Sequence, residues 1–287
     1  MAKAVPKRER PACTYFEGDW IEGSPPILSP NTQAMWLGTV VFDGARAIAG
    51  QMPDLDRHCH RVNHSAEALG MIPTLSGEEI ERLSREGVSQ FDEDAELYIC
   101  PMYYAQDGFI TPEPDSTKFV LSIYEAPLPE PKGFAACKSS FRRPAADQAP
   151  TNAKASCLYP NVARSVNEAR QKGFDTGITL DPDGHVAEFS YTNLFFAKNG
   201  VVHTPVPNGT FLNGITRERV IQLLRDDSIE VQERVVEYQE LAEADELFSS
   251  ANYSKVMPCV RLDGRDLQPG PLYQRARELY FGFSEKS

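Results

Sequence analysis

The segment Glu125 to Gly133, EAPLPEPKG, limits the folds open to this chain more than any other. Its three prolines fix the backbone and remove amide donors, so neither a helix interior nor a central strand can run through it. A chain of 287 residues interrupted near its middle is expected to form two units with their own cores. The expected division is an N-terminal α/β domain over 1–126, a Pro-rich linker over 127–137 and a C-terminal domain over 138–287.

The pattern on either side supports a mixed fold. TYFEGDWIEG reads as strand, turn and strand about Glu17-Gly18-Asp19, and VVFDGARAIAG carries strand-like apolar residues. RHCHRVNHSAEALGM has helical spacing, and SGEEIERLSREGVSQF opens on Ser76 with Glu79 three residues on, the signature of a capping box. AELYICPMYYAQ and KFVLSIYEA return to strand character. After the prolines, YPNVARSVNEARQKG predicts a helix stopped at Gly173. The turn signals Asp183-Gly184 and Asn199-Gly200 then divide a meander of short strands. GITRERVIQLLRDDS and GPLYQRARELYFGF predict helices, IEVQERVV a strand, and YQELAEADELFSSAN a short helix running into a strand.

Charge and composition exclude several function classes. A formal charge of -12 and a pI near 5.0 argue against nucleic-acid binding, which needs a concentrated basic surface. No apolar run approaches the ~18 residues of a membrane helix. The opening MAKAVPKRERPA is expected to be a loose arm and not a signal peptide, because no apolar stretch follows it. Six scattered cysteines without a C-x-x-C pair fit reduced thiols in a cytoplasm, with no metal site.

Chemistry enters at Lys154, in the charge-poor segment PTNAKASCLYP, where local ion pairing offers a lysine nothing. Alone it would read as a solvated surface lysine, but four further segments accompany it. They are F-D-G-A-R from Phe42 to Arg46, H-x-x-R from His58 to Arg61, E-x-x-x-x-N-L-F from Glu188 to Phe195 with N-G-I-T-R from Asn213 to Arg217, and A-D-E-L-F from Ala244 to Phe248. With Lys154 and Tyr159 five residues on, their order and spacing resemble the class IV aminotransferases, the group of branched-chain and D-amino-acid aminotransferases and aminodeoxychorismate lyase.

The resemblance implies a two-domain α/β (α+β mixed) architecture of fold type IV, like that of D-amino-acid aminotransferase, with a barrel-like C-terminal domain. It implies pyridoxal 5'-phosphate (PLP) held as a Schiff base on Lys154, whose freed amine then moves the substrate α-proton. Glu188 is implied to pair with the pyridine nitrogen and Tyr159 to hold the phenolic oxygen. For the phosphate it implies Arg61 together with Ile215 and Thr216 at a helix start. Where relatives carry a small hydroxyl-bearing turn, this chain has SSANY, so Asn252 is expected to donate in its place.

Substrate residues are less determined. Branched-chain members show Y-I-R-P where this chain has Tyr98-Ile99-Cys100-Pro101, so an α-carboxylate is expected to rely on Tyr98, Arg46 and the turn at Ala251 and Asn252. A family tyrosine before G-x-x-V-F is Leu37 here, beside Trp36, which with Phe42 and Met102 is expected to line an apolar wall. The implied reaction is ping-pong transfer of an amino group from an amino-acid or amine donor to a 2-oxo acid. An (R)-selective amine or D-amino-acid transaminase, a lyase of the aminodeoxychorismate type, and a non-catalytic scaffold are the alternatives. The family also implies a homodimer or larger homo-oligomer, with the stretch around Trp36 closing the partner's pocket.

Overall fold

The computed structural model describes residues 10–285, so residues 1–9 of the expected arm lie outside it. The first half builds a six-stranded antiparallel sheet. β1 (Ala12–Phe16) and β2 (Asp19–Glu22) form a hairpin whose two turn residues, Glu17 and Gly18, both take positive φ, as the twist of a tight hairpin demands. A short helix, α1 (Gln33–Leu37), leads to β3 (Val40–Phe42) and β4 (Ala45–Ala47). The run VVFDGARA is thus two strands, parted at Asp43-Gly44.

Helices α2 (Leu55–Ala68) and α3 (Gly77–Val88) follow, the latter opened by the expected Ser76–Glu79 capping box. β5 (Leu97–Ala105) and β6 (Thr117–Glu125) complete the order β2-β1-β6-β5-β3, with β4 also on β5. Apolar alternation on β5 and β6 turns Leu97, Ile99, Leu121 and Ile123 toward α2 and α3, where Leu55, Val62 and Ile80 meet them. Each of these side chains stabilises the unit by about 1.5–3 kcal/mol when fully buried.

β7 (Phe134–Arg142) starts inside the interval expected as linker, so the stretch without regular structure is confined to 126–133. The second half then runs α4 (Tyr159–Gln171), β8 (Thr176–Leu180), β9 (Val186–Phe189), β10 (Asn193–Lys198), β11 (Val201–Pro205) and α5 (Ile215–Asp226). It closes with β12 (Val231–Arg234), α6 (Tyr238–Leu241), β13 (Glu246–Ala251), β14 (Lys255–Leu262), β15 (Arg265–Asp266) and α7 (Pro271–Ser284).

These strands form a nine-stranded mixed sheet in the order β12-β11-β10-β13-β14-β7-β8-β9. The sheet curls until its last strand, β9, lies against β10, which gives the barrel-like shape. Asn199 and Gly200 take positive φ in the turn between β10 and β11, as their dipeptide predicts. α5 and α7 cover β13 and β14 over the stacked rings of Phe195 and Phe248, whose centroids are 5.2 Å apart, and α4 covers β7 and β8.

Main chain and charge fasten the halves together. Phe42 N donates to Lys154 O at 3.1 Å, and Val41 and Ala155 form an isolated antiparallel bridge. On the other side of the junction Arg219 grips Asp54 and Arg57 pairs with Glu218.

Candidate active site

A cavity of about 310 Å³ opens where the two sheets face each other, and its wall draws residues from both halves. Lys154 enters it from the turn that bridges to β3. Its main chain is held at both ends, N donating to Ser65 Oγ at 3.1 Å and O accepting from Phe42 N. The stem is therefore fixed while the amine is left in the cavity. There Nζ donates to Tyr159 Oη at 3.0 Å and lies 4.8 Å from the centroid of the Phe42 ring. Tyr159 opens α4, and its own ring packs against Phe42 with centroids 5.1 Å apart.

One end of the cavity is acidic. Glu188 on β9 is 7% exposed, its Oε1 3.5 Å from Arg143 Nε and its Oε2 3.5 Å from Asn193 Nδ2. Arg143 also donates from Nε to Thr210 O at 3.0 Å, so its charge is shared. Burial raises the Glu188 carboxyl to about 7 even though Arg143 and Lys154 pull it down. A carboxylate so short of cations favours a positively charged partner.

A second part of the site is built around a buried anion. Asp43 is fully buried and takes a bidentate grip from Arg61, Nε at 2.6 Å and Nη2 at 2.8 Å, with His58 Nδ1 at 2.7 Å. Burial would raise its carboxyl, but Arg61 and His58 outweigh that and hold it far below the usual range. The pair orients Arg61, which lines the cavity. Facing it are Ile215 and Thr216 in the first turn of α5, whose amides have no carbonyl one turn back. Gly214 caps that helix, and a Cβ there would collide with Asn193 Oδ1.

The end of β13 supplies Ser250 and Ala251, and the turn after it Asn252, to the same wall. Among the described residues, Ser250 Oγ and Asn252 Nδ2 are buried without a hydrogen-bond partner, so polar capacity there is unspent. An amine, a buried carboxylate and a cluster of donors on one wall suit a ligand that carries both a cationic atom and an anionic group.

Of the expected site residues, Lys154, Arg61, Tyr159, Glu188, Ile215, Thr216, Asn252, Ala251, Phe42 and Tyr98 all line this cavity. Tyr98 stacks on Tyr124 at 5.5 Å, and a Cβ on Gly44 would strike its hydroxyl. Arg46 stands behind the wall: it is fully buried, its guanidinium 5.8 Å from the Tyr98 ring and 5.3 Å from the Tyr253 ring, with Nε and Nη2 unpartnered among the described residues. Cys100, one turn of the pleat from Tyr98, is not on the wall, and burial pushes its thiol up to about 12.

Trp36 is not on the wall either. It is 58% exposed on α1, 6.0 Å from the Phe109 ring, while Met102 packs with Ala34, Tyr104 and Val120. Sequence reasoning missed Asp43, although it sits inside the quoted F-D-G-A-R run, and also Arg143, Asn193, Tyr191, Leu212 and Tyr253. For Arg143 no signal existed, because nothing in FRRPAAD distinguishes it from Arg142.

Residues 40–262, well over half the chain, match the family described as Amino-transferase class IV. The chain is 32% identical over 281 residues to a probable branched-chain-amino-acid aminotransferase of Aquifex aeolicus, covering 93% of this chain and 90% of that protein. It is 29% identical over 283 residues to the branched-chain-amino-acid aminotransferase of Escherichia coli K12, covering 93% and 91%. Among solved structures it is similar to an aminotransferase from Brucella abortus bound to the cofactor PLP, with a TM-score of 0.95, 49% identity, and coverage of 96% of this chain and 100% of that one.

Proposed function

Because this chain belongs to the class IV aminotransferases, we propose that its cavity is the site of PLP-dependent transfer of an amino group from an amino acid to a 2-oxo acid. The observation that carries the reading is the gathering in one cavity of an amine, Lys154 Nζ, a buried carboxylate and a cluster of anion donors. Those residues fit PLP. Glu188 is a buried acid in need of a cation, which a protonated ring nitrogen supplies, and Ser250 and Asn252 hold unspent polar atoms beside Arg61 and the start of α5, where a phosphate finds donors.

Lys154 would hold the cofactor, Glu188 its ring nitrogen, Tyr159 its phenolic oxygen, and Arg61, Ile215, Thr216 and Asn252 its phosphate. When bound, PLP supplies an electron-poor ring that takes up the charge left when a substrate loses its α-proton. Lys154 Nζ is the base that removes that proton and returns it, since it is the basic group at the centre of the cavity and its stem is immobilised by Ser65 and Phe42. Tyr159 keeps the amine in line through its 3.0 Å contact. The Phe42 ring packs against Tyr159 and lies under the amine, which limits where both can move.

The substrate wall is aromatic and aliphatic, with Phe42, Tyr98, Leu158, Tyr191 and Leu212, which suits an amino acid with an apolar side chain. Tyr98 and the Ala251–Asn252 turn are the groups for its α-carboxylate, with Arg46 behind Tyr98 lending positive potential. The enzyme acts as a homodimer in this reading. Met35, Trp36, Phe109 and Ile110, between 58% and 75% exposed, make an apolar patch that water disfavours and a second copy would cover. Among the described residues no helix is long and apolar enough to cross a membrane.

Absorbance of the purified protein tests the reading. A band from the lysine-bound cofactor is expected, bleached by an apolar amino acid and restored by a 2-oxo acid, with ping-pong initial rates. A protein that stays colourless in saturating PLP would refute it.

A further inference from the structure

Lys255 is a buried amine that none of these roles uses. It is wholly buried at the start of β14, with left-handed backbone (φ 56°) that glycine adopts freely and lysine does not. Its side chain runs inward. Nζ donates to Asn252 Oδ1 at 2.7 Å and lies 5.4 Å from the centroid of the Tyr280 ring. Burial lowers its basicity to about 7, Arg46 lowering it further and Asp54 opposing.

In its charged form the lysine has donors and no acceptor, and it is the oxygen of the Asn252 carboxamide that faces it. That choice fixes the other end. Nδ2 is turned away from the lysine and is left without a partner among the described residues, on a side chain that lines the cavity beside Ser250. Without the lysine the carboxamide is free to rotate by half a turn, which would set a carbonyl oxygen against an anion.

We propose that Lys255 is a positioning residue for the anion end of the site, gripping Asn252 by its oxygen so that the amide NH2 is the donor offered to the phosphate of PLP. This rests on the cavity being a PLP site. The lysine itself touches no reacting atom; it sets the polarity of a residue that does, and its charge lies behind the donor cluster, where His58 also feels it.

The test compares holoenzymes of the wild type, Lys255→Met, Asn252→Ala and the double variant. Two readouts other than turnover are used: the rate at which PLP is lost on dilution, followed by absorbance, and the 31P resonance of the bound phosphate. Each single variant is expected to release PLP about tenfold faster, as loss of one buried hydrogen bond predicts. The double variant is expected to match either single one, and the resonance shifts in all three. Unchanged release in Lys255→Met, or losses that multiply in the double variant, overturns the proposal. If Lys255→Met does not fold, Asn252→Asp carries the test. It keeps an acceptor for Lys255 but offers the phosphate no donor, so release faster by at least the same factor is expected, and unchanged release overturns the idea. Failure of the underlying reading looks different, because wild-type protein would then show no bound phosphate resonance at all.

Discussion

Arg143 Nε stands 3.5 Å from Oε1 of Glu188, and this shared cation leaves a buried carboxylate undercompensated. On the proposed reading the deficit would stabilise a cationic ring nitrogen, and it destabilises the protein without one.

Glu188→Gln is expected to act in opposite directions on these two states. The folded apoenzyme binds the Glu188 proton more tightly than the unfolded chain does. Its contribution is therefore intact below about pH 4.5 and is lost as pH rises toward 7. Urea unfolding of apoenzymes at pH 8 is expected to find the variant more stable than wild type, with the difference gone near pH 4.5. The holoenzyme variant is expected to lose turnover at all pH values. Parallel pH profiles for the two apoenzymes would contradict this.

Lys154→Ala removes both the proposed attachment point and the proposed proton carrier. Turnover is expected to fall by at least 10²–10⁴-fold, the usual worth of a positioned acid–base group. Borohydride treatment followed by mass spectrometry is expected to tag residue 154 in the wild type only. A tag on another lysine in the wild type would show that the amine has been misassigned.

Asp43→Asn leaves Arg61 and His58 without the anion that holds them. Breaking a buried pair costs about 3–5 kcal/mol. Because the Asp43 carboxyl is depressed in the folded state, its contribution is present above about pH 4 and fades as pH falls below it. Equilibrium unfolding at pH 7 is expected to show the full loss, together with weaker PLP binding. A variant as stable as wild type at pH 7 would mean the grip on Arg61 contributes little.

Gly44→Ala places a methyl group on the Tyr98 hydroxyl. Overpacking of this kind costs about 1–3 kcal/mol, and its main kinetic expression is expected in KM for amino acids and not in kcat, since Tyr98 lines the cavity and is the group proposed for the α-carboxylate. Steady-state kinetics with a carboxylate-free amine as control separates the cases: an equal KM rise for that amine would take Tyr98 out of carboxylate binding.

Ile110→Asp is expected to convert a dimer into monomers, because it sets a charge in the most exposed part of the apolar patch. Sedimentation velocity reads the outcome, and a wild type that already sediments as a monomer would remove the patch from any assembly role.

Much of this was written in local patterns. The capping box at Ser76, the Asn199-Gly200 turn and the apolar alternation of β5 and β6 are determined by near neighbours, so the chain announces them. The motifs are local enough to be read from the chain, whereas the cavity in which Arg61, Lys154, Glu188 and Thr216 meet is made by the two facing sheets. What stayed hidden depends on distant partners. Arg143 matters only because β7 and β9 flank the same strand, β8, and Lys255 only because the hairpin turns it beneath Asn252. Trp36, expected beside the substrate and in the stretch that closes a partner's pocket, lies on the outer surface of its own chain, a placement set by the docking of Ala34 against Tyr104 and Val120. The connector was drawn too long because Phe134 onward pairs in parallel with β14, more than a hundred residues later in the chain.

The hydrogen bond from Phe42 to the lysine carbonyl ties together segments from the two halves of the chain. The cavity wall begins at Phe42 and ends at Tyr253, so neither half owns a complete binding cup. A protein cut before β13 would keep Lys154, Glu188, Arg61 and the start of α5 but would lack Ser250 and Asn252, leaving the cup open on that wall.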